Sequence, residues 1–154
     1  MIIFLILASV AYAWADCGDP PGLDSHQKGV SVYRHRKVVF ESGESGGKKT
    51  TAYDHLIVWN RNPKELCFSI TTISSQLHEC YLDGKATKVR QNVYSYSENN
   101  CHAVLTFIKD KIKVVAKGSR GNYCVGEDLG DNNGGCGMNT SIDFAIYTEQ
   151  KNRP

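Results

Sequence analysis

The feature that most constrains this chain is a pair of apolar runs that can face each other in only one register. Residues 101–108 read Cys-His-Ala-Val-Leu-Thr-Phe-Ile, with Cys101, Ala103, Leu105 and Phe107 on one face. After a turn, Ile112, Val114 and Ala116 share a face of the next run. Side chains alternate across a strand, so the odd positions of the first run must meet the even positions of the second. A two-residue loop does this, pairing Phe107 with Ile112 and Leu105 with Val114. A symmetric three-residue loop at Lys109-Asp110-Lys111 pairs odd with odd and sets the two apolar faces out of register. The pattern therefore specifies a hairpin of fixed register.

The rest of the chain repeats the theme. Residues 30–40 form a candidate strand with Val30, Val32, Val38 and Phe40 on one face, interrupted there by Arg34 and Arg36. Residues 53–59 form a second, centred on Leu56-Ile57-Val58. Residues 66–73 set Leu66, Phe68 and Ile70 against Ser69 and Thr71. Residues 78–82 lead into Asp83-Gly84, a dipeptide suited to the positive φ angles of a type I′ turn, and residues 89–96 return from it. Residues 141–147 close the series, with Ile142, Phe144 and Ile146 as the expected inner face. Pro20-Pro21-Gly22, the glycine-rich residues 41–50 and Asn60-Arg61-Asn62-Pro63 read as loops and turns. No long segment shows a 3.6-residue period. The expected fold is all-β, a small antiparallel β-barrel or sandwich of about eight strands.

Residues 1–15 read as a signal peptide, with the apolar Ile2-Ile3-Phe4-Leu5-Ile6-Leu7 and the small-residue site Ala13-Trp14-Ala15. Residues 16–154 then form a single β domain, periplasmic or secreted, with no stable membrane insertion after cleavage. Asp16 before Cys17 argues against a lipidated cysteine. All six cysteines fall in this domain, and an even set in an exported chain implies three disulfides. The expected pairs are Cys80–Cys101 across neighbouring strands, Cys124–Cys136 closing a polar loop, and Cys17–Cys67 by elimination. The net charge is +2 without a basic block, so nucleic acid is not an expected partner.

Motifs that carry chemistry are few. Gly43-Glu44-Ser45-Gly46-Gly47 satisfies G-x-S-x-G and raises the alternative of a serine hydrolase centred on Ser45. The polar Lys48-Lys49-Thr50-Thr51 that follows is a poor start for the helix that a nucleophile elbow needs, and no Asp lies between His35 and Ser45. A loop between strands is the plainer reading. His26, His35, His55, His78 and His102 are scattered without metal-ligand spacing, so no metal and no cofactor is expected. The oxygen-rich residues 127–135 suit calcium but lack the full EF-hand pattern. Asn139-Thr140-Ser141 is a glycosylation sequon. Trp59, Tyr94, Tyr96 and Tyr123 are candidates for exposed aromatic anchors.

From His78-Glu79-Cys80-Tyr81-Leu82-Asp83-Gly84-Lys85-Ala86, through Cys101 opening an apolar strand, to Cys124 and Cys136-Gly137, the chain resembles small exported bacterial disulfide-containing β-proteins. In size, export and β content it also resembles periplasmic lysozyme inhibitors, small barrels that push a Ser-Gly-x-x-Tyr loop into the lysozyme cleft. Here Ser119-Arg120-Gly121-Asn122-Tyr123 carries similar residue types with glycine one place late. The resemblance implies a non-enzymatic binding protein whose partner is a cell-wall hydrolase or toxin. The contact residues are then Ser119, Arg120, Asn122 and Tyr123 of the turn, with Glu127, Asp128, Asp131 and Asn133 of the acidic loop. A barrel that carries a small apolar ligand is the remaining alternative.

Overall fold

A computed structural model describes residues 17–24, 26–41, 47–73, 79–98, 101–118 and 144–150. Eight strands follow in order: β1 (Ser31–Glu41), β2 (Lys48–Trp59), β3 (Glu65–Ile73), β4 (Glu79–Arg90), β5 (Val93–Glu98), β6 (Cys101–Ile108), β7 (Lys111–Gly118) and β8 (Phe144–Glu149). Each pairs antiparallel with its successor, and β8 returns to β1 to close a barrel. Every strand thus has a partner on both sides. Of the two expected all-β architectures, barrel or sandwich of about eight strands, the observed fold is the barrel.

The β6–β7 hairpin has the register that its apolar pattern dictates, with Phe107 opposite Ile112 and Leu105 opposite Val114. Lys109 takes the positive φ (54°) that this tight turn requires. On β3, Leu66, Phe68 and Ile70 point inward as read from the sequence. With Leu56, Leu105, Ile112 and Tyr147 they are wholly buried.

Two strands present the opposite face from the one expected. On β1 the interior receives Tyr33 and Val39, while Val38 and Phe40 are 58% and 53% exposed. Valine parity misled because it shared its face with Arg34 and Arg36, and burying two guanidinium groups costs far more than exposing two apolar side chains. On β8 the interior receives Tyr147, opposite Ile112, and Ile146 faces out. The larger tyrosine ring takes the core position.

Asp83-Gly84 is not a turn. Both residues lie within β4, opposite Ser69 and Phe68. The chain reverses at Gln91-Asn92 instead, where Asn92 has φ 59°. Glycine is needed at 84 because the Tyr96 ring lies against it; a Cβ there would fall 2.8 Å from Tyr96 Cδ2 and closer still to Cε2. The Tyr96 ring in turn meets the edge of Phe68, with centroids 5.2 Å apart. Tyr94, Tyr96 and Trp59 are therefore buried, not exposed anchors.

Among the described residues one disulfide is complete, Cys17–Cys67. Cys80 and Cys101 are also disulfide-bonded, but not to each other, which corrects the expected Cys80–Cys101 pair. β5 separates their strands. Continuing the β4–β5 register from Thr87↔Ser95 brings Gly84 beside Glu98, and Cys80 lies four residues further on. At about 3.3 Å per residue this exceeds the reach of a disulfide. Cys124 and Cys136 lie outside the described residues.

The Cys17–Cys67 bond lays the N-terminal arm on the outside of β2 and β3. Ile57, Trp59 and Cys67 form a small second core there, with Cys17 and Val30 packed on it. Trp59 Nε1–H donates to the Cys17 carbonyl at 2.9 Å.

Candidate functional site

One mouth of the barrel is built by the β2–β3 corner, the β6–β7 hairpin and the arm. The corner is rigid for local reasons. Asn60 adopts φ 49°, and the Asn62 side-chain carbonyl accepts the backbone N–H groups of Lys64 and Glu65 at 2.8 and 2.9 Å. This holds Arg61 over the end of the core. Its guanidinium carbon stands 4.0 Å from the Phe107 ring centroid and 5.7 Å from that of Tyr94. Both distances are within cation–π range.

Beside Arg61 a cleft of about 390 Å³ opens between the mouth and the arm. Its floor is the end of the barrel core, Tyr33, Val58 and Phe107, and its far wall is Pro21 with Gln27, Lys28 and Gly29. The volume lies at the lower end of small-molecule sites. Among the described residues, Lys28 and Arg61 are its charged lining residues, and no carboxylate lines it. Burial, and then the Glu149 carboxylate that pairs beside it in register, raise the Tyr33 pKa above its ordinary 10.0. The phenol therefore stays protonated and able to donate. This arrangement suits a small ligand with an apolar body and an anionic group.

A second polar feature lies inside the barrel. His35 stands opposite Asp54, and Asp54 adjoins Thr72 by continuation of the β2–β3 register. Continuing the β1–β8 register sets His35 beside Tyr147, and their rings are 5.9 Å apart. Lys37 Nζ lies 2.6 Å from Asp54 Oδ1, which also accepts the Ile73 N–H at 2.9 Å. His35 Nδ1 is 3.0 Å from the Ile146 carbonyl oxygen, its donor role set by the tautomer. Burial, then the Asp54 charge, push the Tyr147 pKa well up. The Tyr147 hydroxyl and Thr72 Oγ1 are buried without a hydrogen-bond partner. Tyr147, Thr72 and Asp54 expose almost no surface, whereas His35 and Lys37 are half-buried.

The residues expected to bind a partner, Ser119, Arg120, Asn122, Tyr123, Glu127, Asp128, Asp131 and Asn133, lie outside the described residues. So do Ser45 of the hydrolase alternative, His78, Asn139 and the signal segment. His26 and His102 are exposed, whereas His55 is half-buried on the outside of β2. Among the described residues no three His, Cys, Asp or Glu side chains group as a metal site. Sequence reasoning identified the Arg61 corner as a turn but not its role, because Phe107 comes from a distant hairpin. Asp54 was more legible: it shares parity with Ala52, Leu56 and Val58, and so belongs inside.

Compared with known proteins, the chain matches no family model, and no curated protein or solved structure matches it. The likeness to exported β-proteins and lysozyme inhibitors therefore remains an expectation from short motifs.

Proposed function

We propose that this chain is an exported, non-enzymatic binding protein that takes a small ligand with an apolar body and an anionic group at the Arg61 mouth. The supporting observation is the cleft itself. Core side chains form its floor, Arg61 and Lys28 supply its charge, and a disulfide-anchored arm forms its wall. The site is largely ordered before binding, so little entropy is lost when it is occupied. Trp59 lines the cleft and reports on it. Titration with decanoate should change Trp59 emission saturably, and decanol should not. Arg61→Gln should weaken decanoate at least about tenfold, the scale of one hydrogen bond to a charged group. An equal response to decanol and decanoate, or no response to either, removes the proposal.

A protein target, a cell-wall hydrolase or toxin met by residues 119–133, is compatible with the cleft. β7 ends and β8 begins at the barrel end opposite the β2–β3 corner. Co-elution with a lysozyme, repeated after Arg120→Ala and Tyr123→Ala, tests that target separately.

A further inference from the structure

The outside of the barrel is divided by charge. On β3 and β4 the outward side chains mix both signs, Glu65, Glu79 and Asp83 with Lys85, which pairs with Glu65 at 3.6 Å. On the five consecutive strands β6, β7, β8, β1 and β2, the described outward side chains include five cations and no carboxylate. The register arranges these cations around apolar groups. One row runs Tyr53, Arg36, Ile146, Lys113, each on the next strand, with Arg36 set beside Ile146 by continuing the β1–β8 register. The row nearer the Arg61 mouth carries Arg34 and Lys111, on either side of Thr148. On the other side, Val38 lies in β1 and Val115 in β7, followed by Phe40 with Lys49 at 5.4 Å from its ring centroid. Val38, Phe40, Ile146 and Tyr53 are 58%, 53%, 44% and 43% exposed. With strands about 4.8 Å apart and same-face residues about 7 Å apart, the face measures roughly 20 Å each way. A mixed apolar patch of that size marks an interaction surface.

We infer that this face docks on an anionic phospholipid surface. Cations flanking exposed apolar and aromatic groups are the pattern of interfacial binding: the cations meet headgroup phosphate and carboxylate while the apolar tips enter the acyl boundary. A protein partner would more often receive such anchors in shaped pockets. Here the side chains project from a convex sheet, and a fluid headgroup layer follows that relief without a matched counterpart. The polar outer sides of β3 and β4 remain in water, so the barrel lies on the surface and does not span it. This inference is independent of the cleft and its ligand.

The test is co-sedimentation of the full disulfide-bonded chain with vesicles of phosphatidylcholine alone or with about one-third phosphatidylserine. Residues 1–15 carry no charged side chain and are common to every variant, so they cancel from the comparisons between variants. The protein should favour the anionic vesicles and be released as salt shortens the screening length. Neutralising Arg36, Lys111 and Lys113 together to Gln should lower that partition about a hundredfold, from about fivefold per cation. Val38→Ser with Ile146→Ser should lower it several-fold. Near-ultraviolet circular dichroism verifies that each variant keeps the barrel. A control pair on β4, Lys85→Gln with Lys88→Gln, should leave partition nearly unchanged. Equal partition onto both vesicle types, no binding to either, or an equal loss in the control pair overturns the inference.

Discussion

At the scale of single residues, what decides the structure is what each side chain meets across the barrel. Gly84 has no turn to make; it clears space for the Tyr96 ring, which is buried and held by Phe68. Gly84→Ala should therefore cost about 2–3 kcal/mol, the scale of an overpacked core, read from the urea midpoint. His55 gives a pH signature. Burial, and then the Arg34 guanidinium opposite it, lower its pKa from the ordinary 6.5. The unfolded chain thus takes up a proton near pH 6.5 that the folded chain resists. The contribution is present above 6.5 and lost as pH falls through it. Between about pH 8 and pH 5 the urea midpoint should fall more steeply for the natural protein than for His55→Gln; parallel curves would rule this out. Residue-scale facts of this kind were the least legible. Gly84 after an aspartate reads as a turn until Tyr96 is known to lie against it. Val38 and Phe40 read as core until the price of burying Arg34 and Arg36 on the same face is counted.

At the scale of elements, legibility followed local completeness. The β6–β7 hairpin contains all the information that fixes its register, and it was read correctly to the pair. β3 was equally clear, because Leu66, Phe68 and Ile70 alternate with Ser69 and Thr71. β8 was not, because Tyr147 owes its place to Ile112 and His35 on other strands. The N-terminal arm has no regular structure, and its place depends on Cys17–Cys67 and the Trp59 hydrogen bond. That disulfide closes a loop with a sequence separation of 50. Chain entropy alone then gives about 4 kcal/mol. Cys17→Ser with Cys67→Ser should lower stability by up to about that amount. It should also shift Trp59 emission to the red as the arm lifts, and weaken decanoate because the cleft loses a wall. Unchanged emission would show that the arm holds without the bond.

At the scale of the whole molecule, the barrel was legible as a class from strand count and spacing, whereas closure was not, since no local pattern states that β8 meets β1. That seam shows two residue pairs, Tyr33↔Glu149 and Arg34↔Thr148, with Gln150 N–H donating to the Val32 carbonyl at 2.8 Å. The β1–β2 ladder, by contrast, runs from Ser31↔Val58 to Glu41↔Lys48. Native-state hydrogen exchange should therefore find the amides of β8 opening before those of β2 and β3. Uniform protection around the barrel would contradict this. The seam also sets a schedule. Every other strand pairs with a neighbour made just before or after it, but the second edge of β1 stays vacant while roughly a hundred further residues are synthesised. At about 5–20 residues per second the vacancy lasts several seconds, long enough for another chain's strand to settle on it. Arg34, Arg36 and Lys37 sit along that edge, and long cationic side chains are what discourages such trespass. The finished barrel keeps them as surface and ion pair; the growing chain has them as its guard against aggregation.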